Sequence, residues 1–301
     1  MAAGFAYAER VGKPFAVDLA KTFSMGLCDH TKSHYVNSIF RKFARVSETP
    51  RPYSKVVMPF LQALVYQRLP DFPAEVNVYI EGLFICEKYF EKVGRQFVEM
   101  LTLPEVPSRP GCCFIHIRRG DTLSNAMNRL LFAYDYNSYV ESALELVRRK
   151  RPGTRFCVFS DDLPWCRNQA QFAGDEFEFI DEPDAVLALV RMSHCRVGGI
   201  CWNSTFSWWG AYLNDNPDKI VVAPMLYSKW VPQNPWPSGA YILPCGNAQF
   251  AFGPVLLLSS VFGLVALLLL VAVVVLACYV KPRGRPAASK KPNAHPHRSQ
   301  G

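Results

Sequence analysis

The chain has 301 residues, of which 50% are apolar, 19% charged and 13% aromatic. This composition excludes a wholly disordered chain and predicts a packed core. Six of the 33 Lys and Arg, and no acid, lie in residues 281–301, so the preceding residues carry 27 bases against 25 acids. Since the net charge of +8 belongs mainly to this tail, no nucleic-acid-binding surface is expected.

The first hundred residues have a mixed helix and strand pattern. YAERVGKPFAVDLA predicts the end of a helix, a Gly-Lys-Pro turn and a strand, and VNVYIEGLF predicts another strand. CEKYFEKVGRQFVEML predicts a helix with Tyr89, Phe90, Val93 and Phe97 on one side. We expect a smaller α/β lobe over residues 1–105, with no strand before its opening helix.

From about Gly111 onward, strands and helices alternate. CCFIHI, RFCVF, FEFI, CRVGGI and KIVVAP are the predicted strands, with KIVVAP the last, and YNSYVESALELVRRK and DAVLALVRMSH are two of the helices between them. This alternation predicts a parallel, Rossmann-type sheet with helices on both faces, over residues 106–249. Ligands of such sheets bind where strands end, and polar motifs follow these strands directly.

The HIRRGD motif, residues 116–121, ends the CCFIHI strand. Two adjacent guanidiniums, on Arg118 and Arg119, suit bidentate binding of phosphate oxygens, and a nucleoside diphosphate is the expected ligand. The alternative is a structural Arg–Asp ion-pair cluster at a loop.

The FSDDLPWC motif, residues 159–166, also ends a strand. Asp161 and Asp162 could accept hydrogen bonds from a base, act as a general base, or cap the helix that starts at Leu163 and Pro164. The chain contains no Asp-x-Asp triplet, so no metal clip for a sugar-nucleotide diphosphate is predicted, and arginines are expected to neutralise the leaving group.

The third motif is GGICWNSTFSWWGAYL. Its two glycines predict a close approach of the backbone to a ligand, and Asn203, Ser204 and Thr205 predict an anion site at a helix start. For the aromatic side chains that follow, core packing is the favoured interpretation; they are Phe206, Trp208, Trp209 and Tyr212.

The spacing of the ten cysteines indicates neither a zinc ribbon nor a dithiol site, because no two have the CxxC pattern. Several lie in apolar runs, which favours free, buried thiols. One or two disulfides remain the alternative for an oxidising compartment.

Residues 255–280 form an uncharged apolar run longer than the roughly 20 residues that a membrane-spanning helix needs. The basic tail 281–301, predicted to be disordered, should remain cytosolic, which places the body on the lumenal side of a single-pass protein. MAAGFAYAERVGKPF lacks the apolar core of a signal peptide. Either an upstream segment is missing, which is the favoured alternative, or the body is cytosolic.

In this order and at these spacings, HIRRGD, FSDDLPWC and NSTFSWWGAYL resemble the three characteristic blocks of the α-1,2-fucosyltransferases, glycosyltransferase family 11. GLFICEKYF is similar to the family's GYFQSEKYF block, with Ile85 in place of Gln, and AYAERVGKPFAVDL to its early helix and strand. The resemblance covers roughly residues 5–245.

The resemblance implies a GT-B-like fold with two lobes: an acceptor-side lobe, 1–105, and a lobe that binds GDP-fucose, 106–249. It implies inverting transfer of L-fucose from GDP-fucose to the 2-hydroxyl of a terminal β-galactoside on a glycoprotein, glycolipid or oligosaccharide, without a cofactor or metal. A Golgi-type membrane is the expected location.

The resemblance also assigns roles to residues of the three motifs. Arg118 and Arg119 would hold the diphosphate, with Arg118 nearest the leaving group. His116 and either Asp161 or Asp162 would contact guanosine. The phosphate pocket would be completed by Asn203, Ser204, Thr205, Phe206 and Ser207. For the general base, Asp121 is the first candidate and Asp162 the second.

In two respects the chain departs from the family. The family pattern opens with a strand and a GxLGNQMFQ loop, whereas this chain starts at Met1 inside the following helix, so its N-terminal lobe should lack the first strand. Animal relatives have their membrane anchor at the N-terminal end, not at the C-terminal end. Two alternatives stay open: a truncated or catalytically silent relative that binds sugar nucleotide or glycan, and a fucosyltransferase of another linkage.

Overall fold

A computed structural model describes most of the chain up to residue 245. The described residues are 1–18, 32–47, 49–58, 66–82, 84–126, 128–129, 136–225 and 235–245. The predicted membrane span, 255–280, and the basic tail, 281–301, lie outside them. Within these ranges, no helix has both the length and the apolar character to cross a membrane.

Residues 1–105 contain short helices and two separate pairs of parallel strands. The elements are α1 (Ala2–Val11), β1 (Val17–Asp18), α2 (Lys32–Asn37), β2 (Arg45–Val46), β3 (Tyr53–Val57), β4 (Asn77–Glu81) and α3 (Gly94–Met100). β1 pairs with β2, and β3 pairs with β4. The predicted opening helix, turn and strand are confirmed, and so is the strand in VNVYIEGLF.

The sequence predicted one helix over CEKYFEKVGRQFVEML, and this prediction was wrong. A 3-10 turn, Glu87–Tyr89, precedes α3, and the chain leaves helical geometry at Phe90 between them. The ring of Phe90 stacks on Trp209 at a centroid distance of 5.7 Å and meets Trp208 edge-on at 5.8 Å. These long-range contacts override local helix propensity.

The rest of the described chain alternates strand and helix, as predicted. Its elements are β5 (Cys112–Ile117), α4 (Gly120–Ser124), α5 (Asn137–Lys150), β6 (Arg155–Ser160), α6 (Leu163–Arg167), β7 (Phe177–Phe179), α7 (Ala185–Ser193), β8 (Gly198–Ile200), α8 (Thr205–Tyr212), β9 (Ile220–Pro224) and β10 (Tyr241–Leu243). The prediction that KIVVAP is the last strand was wrong, because β10 follows it and pairs with β9. The short strand YIL is flanked by Pro and Gly and carries too few residues to give a periodic signal.

Strands β5 to β10 form one parallel sheet in the order β10-β9-β8-β5-β6-β7. The chain runs outward from β5 through β6 and β7, returns to β8 on the other side of β5, and runs outward again. This is the strand order of a Rossmann-type doubly wound sheet. The order reverses between β5 and β8. In sheets of this kind, ligands bind at the carboxyl ends of the strands on either side of such a point.

Hydrophobic cores lie on both faces of the sheet. On one face α5 packs through Tyr139, Val140 and Leu144. On the other face, α7 and α8 share a core with the N-terminal region, in which Phe5 and Phe97 lie with Trp208. The prediction that the α8 aromatics pack inward is confirmed, since Trp208 is buried and its aromatic neighbours in α8 pack against the same core. The division into two lobes, at residues 105 and 106, stays a prediction.

The glycine pair of β8 does not serve the approach of a ligand, contrary to the expectation from the sequence. Gly198 has φ +135°, and a Cβ there would lie 2.0 Å from the carbonyl oxygen of Ile220. A Cβ on Gly199 would lie 2.1 Å from the ring of Phe114. Both glycines are therefore required by packing inside the sheet.

The cysteines in the described ranges are free, as expected. They are Cys86, Cys112, Cys113, Cys157, Cys166, Cys195, Cys201 and Cys245, and all except Cys86 are buried. Burial raises the pKa of the Cys113 and Cys201 thiols, so that they stay protonated.

Candidate functional site

The first motif begins on β5, which positions His116 at the carboxyl edge of the sheet. The ring of His116 is buried, and its Nδ1 atom lies 2.5 Å from the hydroxyl oxygen of Ser207. Burial and the positive charge of Arg118 lower the pKa of His116 to about 3. The imidazole is therefore neutral at physiological pH.

Ser207 is the hydrogen-bond partner of that imidazole. Its hydroxyl oxygen accepts a hydrogen bond of 3.1 Å from the backbone N–H of Trp202, and the residue is fully buried. The hydroxyl proton of Ser207 is satisfied when it is donated to Nδ1 of His116. In that arrangement Nε2 carries the ring proton and is available as a hydrogen-bond donor. The third motif is thereby joined to the first.

The second motif is joined to the first through Arg119. The Nε of Arg119 donates to Oδ2 of Asp162 at 3.0 Å, and its guanidinium lies 3.7 Å from the ring centroid of Trp165. Oδ1 of Asp162 accepts from the backbone N–H of Trp165 at 3.1 Å and so caps α6. The capping interpretation of Asp162 is confirmed, and Arg119 forms the ion-pair cluster that the sequence left as an alternative.

Asp161 holds the backbone of the HIRRGD loop. Its carboxylate accepts hydrogen bonds from the N–H groups of Arg119, at 2.8 Å, and Gly120, at 3.0 Å. These N–H groups belong to the start of α4, where a carboxylate is the favoured partner. The second motif therefore determines where the loop after β5 lies.

The remaining predicted residues lie along the same edge. Arg118 directly follows β5, and Asn203 is buried in the loop after β8. Ser204 caps α8, accepting from the N–H of Phe206 at 3.2 Å, and Thr205 is the exposed first residue of that helix. The side chain of Asp121, the first candidate for the general base, lies outside the described part of the structure.

One buried residue of this edge was missed by sequence reasoning. Trp202 is 5% exposed, and its ring stacks on that of Tyr136 at a centroid distance of 3.6 Å. Its indole N–H has no hydrogen-bond partner among the described residues. The sequence offered one signal, an aromatic residue directly before Asn203, but this did not distinguish it from the core aromatics of α8.

The arrangement is suited to binding an anion. Arg118 and Arg119 follow β5 on one side of the switch point. On the other side α8 begins, with the positive end of its dipole. In the ranges described, no three His, Cys, Asp or Glu side chains are grouped as metal ligands.

Comparison with known protein families identifies this set of motifs. The family model described as glycosyl transferase family 11 matches residues 66–230, more than half of the chain, and includes all three motifs. The chain belongs to glycosyltransferase family 11. No solved structure is detectably similar to it.

Curated relatives match parts of the chain. An Escherichia coli protein named O-antigen biosynthesis glycosyltransferase WbnK is 34% identical over 124 residues, 40% of this chain and 39% of the relative. Alpha-1,2-colitosyltransferase of Escherichia coli is 32% identical over 161 residues, 49% of this chain and 55% of the relative. Galactoside alpha-(1,2)-fucosyltransferase 1 of Sus scrofa is 25% identical over 169 residues, 54% of this chain and 45% of the relative. The chain thus spans about half the length of these relatives.

Proposed function

We propose that this chain is an inverting, metal-independent fucosyltransferase. Its donor is GDP-fucose, and its acceptor is the 2-hydroxyl of a terminal β-galactoside on a glycoprotein, glycolipid or free oligosaccharide. Membership of family 11 and the names of two relatives, alpha-1,2-colitosyltransferase and galactoside alpha-(1,2)-fucosyltransferase 1, support an α-1,2 linkage. Attachment to a Golgi-type membrane through residues 255–280 stays a prediction from the sequence.

The observation that carries the proposal is the meeting of the three motifs at the switch point of the sheet. His116 of β5 contacts Ser207 of α8, and Arg119, in the loop after β5, contacts Asp162, in the loop after β6. Separate in sequence, these motifs together surround the position where a Rossmann-type sheet binds a nucleotide.

In the proposed reaction, the acceptor oxygen forms a bond to C1 of fucose while the bond from C1 to the β-phosphate oxygen breaks. Arg118 stabilises the negative charge that develops on the departing GDP. The acceptor's proton goes to a carboxylate, for which Asp121 remains the first candidate. Both oxygens of Asp162 already accept hydrogen bonds from Trp165 and Arg119, which favours a positioning role for that residue.

Arg119 and His116 have supporting roles in this proposal. The stack on Trp165 and the ion pair with Asp162 hold the guanidinium of Arg119 in one orientation beside the diphosphate. His116, neutral and with its proton on Nε2, donates to the guanosine end of the donor. Ser204 and Thr205 supply hydroxyls at the start of α8.

A second candidate differs in the donor sugar. The relative named alpha-1,2-colitosyltransferase is more similar to this chain, at 32% identity, than the relative named galactoside alpha-(1,2)-fucosyltransferase 1, at 25%. A donor carrying colitose in place of fucose is therefore the alternative, with the same linkage and the same use of Arg118.

The test is release of GDP by the full chain from GDP-fucose, with and without lactose, in the presence of EDTA. We expect lactose-dependent release that EDTA does not reduce, and an α-1,2 linkage in the product by NMR. Release from GDP-colitose alone would favour the second candidate. Absence of release from either donor by folded protein would contradict the proposal and favour the silent relative.

Arg118→Ala should lower the turnover number by about 100-fold or more, since it removes a donor to the leaving group. Arg95→Ala is the matched control, because the side chain of Arg95 is 93% exposed and pairs with Glu99, one turn further along α3. Near-wild-type turnover by Arg118→Ala would exclude the leaving-group role.

A further inference from the structure

The indole N–H of Trp202 is a buried hydrogen-bond donor that no described residue satisfies. The side chain is 5% exposed, and among the described residues its Nε1 atom has no acceptor. Such donors are rare in folded proteins, because burying an N–H without a partner costs free energy. The indoles of Trp208 and Trp236 are buried as well, but they donate to the carbonyl oxygens of Pro235 and Pro224.

The position of Trp202 relates this donor to the sheet's crevice. Ile200, the last residue of β8, pairs with Ile115 of β5, and Trp202 follows two residues later. Arg118 directly follows the end of β5, three residues after Ile115. Trp202 therefore lies at the carboxyl edge, on the β8 side of the point where the strand order reverses.

The surroundings of Trp202 favour negative charge. Its ring stacks on Tyr136, the N-cap residue of the 14-residue helix α5, whose first turn holds no acidic residue. The amino ends of α5 and α8 both adjoin the loop that carries Trp202, since Ser204 caps α8 two residues later. Helix amino ends stabilise anions, and Arg118 adds a full positive charge at this edge.

We propose that the indole N–H of Trp202 donates a hydrogen bond to a phosphate oxygen of the bound nucleoside diphosphate. The inference rests on the proposed function, in which that diphosphate belongs to the sugar donor. It assigns to Trp202 a binding role alongside Arg118. The cost of the unsatisfied donor is borne by the ligand-free protein and is relieved when the nucleotide binds.

The first experiment compares two Trp→Phe variants of the full chain. Trp202→Phe keeps an aromatic ring against Tyr136 but removes the N–H, and Trp236→Phe makes the same chemical change at an indole that donates within the protein. Calorimetric titration with GDP should show affinity about 10-fold lower for Trp202→Phe, the loss expected for one hydrogen bond to a charged group. Trp236→Phe should bind GDP like the wild type.

Thermal unfolding without ligand separates this role from a structural one. Trp236→Phe leaves the carbonyl of Pro224 without its donor and should lower the melting temperature. Trp202→Phe removes no hydrogen bond of the described residues and should lower the melting temperature less. A larger loss of stability for Trp202→Phe than for Trp236→Phe would overturn the inference.

The indole resonances in a 15N–1H spectrum give a direct readout, and the Trp202 signal is assigned from its absence in Trp202→Phe. GDP should shift this signal downfield, and guanosine should not. An equal shift with guanosine would assign the contact to the base and overturn the phosphate assignment. GDP binding without a shift of the Trp202 signal would overturn this inference alone, whereas absence of GDP binding by the wild type would overturn the proposed function as well.

Discussion

The Nδ1 atom of His116 and the hydroxyl oxygen of Ser207 lie 2.5 Å apart, although 91 residues separate them in the sequence. The contact joins β5 to the amino end of α8 on either side of the switch point. Because the same hydroxyl accepts from the N–H of Trp202, it also holds the loop after β8. Two of the three family motifs are thus connected through one buried serine.

Ser207→Ala should lower the free energy of unfolding by about 2 kcal/mol, because the imidazole of His116 and the N–H of Trp202 both lose a buried partner. Chemical denaturation measures the loss. Ser193→Ala is the control, because Ser193 is also buried and its hydroxyl donates to the carbonyl oxygen of Val190. In that variant the carbonyl of Val190 still accepts a hydrogen bond from the backbone N–H of His194. An equal loss for the two variants would show that Ser207 has no special connecting role.

Protein stability should decrease as the pH falls below about 6.5, because the pKa of His116 is about 3 in the folded protein and about 6.5 when unfolded. Only the unfolded state takes up the proton in this window, so acid favours unfolding. The contribution of His116 to the free energy of unfolding should fall by about 2 kcal/mol between pH 6.5 and 5.

Denaturation of wild type and His116→Gln at several pH values measures this contribution as a difference in slope, with a shallower slope expected for the variant. A ring titration of His116 with its midpoint above pH 5, observed by NMR, would contradict the assignment of a neutral, buried imidazole.

Asp161→Asn should loosen the loop that carries the arginines, because an amide can accept only through its one oxygen while the carboxylate accepts from Arg119 and Gly120. Losing this helix cap should cost about 1 kcal/mol. If that cost appears in donor binding, the KM for GDP-fucose rises about fivefold. Steady-state kinetics provide the measurement. Asp175→Asn, at an exposed turn, is the charge-matched control and should leave KM unchanged.

Gly199→Ala should destabilise the sheet by about 3 kcal/mol or more, since the new Cβ would lie 2.1 Å from the ring of Phe114 in the neighbouring strand. Gly111→Ala is the matched control, because no atom lies within 4 Å of its Cβ position. Soluble yield and thermal unfolding of both variants test this. Wild-type stability of Gly199→Ala would contradict the close packing of β5 and β8.

Local pattern was sufficient for much of the fold and for the location of the motifs. Apolar runs such as CCFIHI and the amphipathic sequence YNSYVESALELVRRK predicted β5 and α5, because burial on a sheet or on one helix face repeats at a fixed period. The alternation of these elements predicted the parallel sheet, and the motifs after its strands predicted the edge that carries the candidate site.

The partners of individual side chains were decided by tertiary structure. Pattern alone left Asp162 open between cap, base and ligand contact. The structure shows the local cap on Trp165 and pairs the same carboxylate with Arg119, which only the folded sheet brings beside it. The tertiary structure also places Gly198 and Gly199 against neighbouring strands. It buries the indole N–H of Trp202 without an acceptor among the described residues. Periodicity records which face of an element is buried, whereas hydrogen bonds and close contacts depend on strand order and register, which form only when distant segments pack.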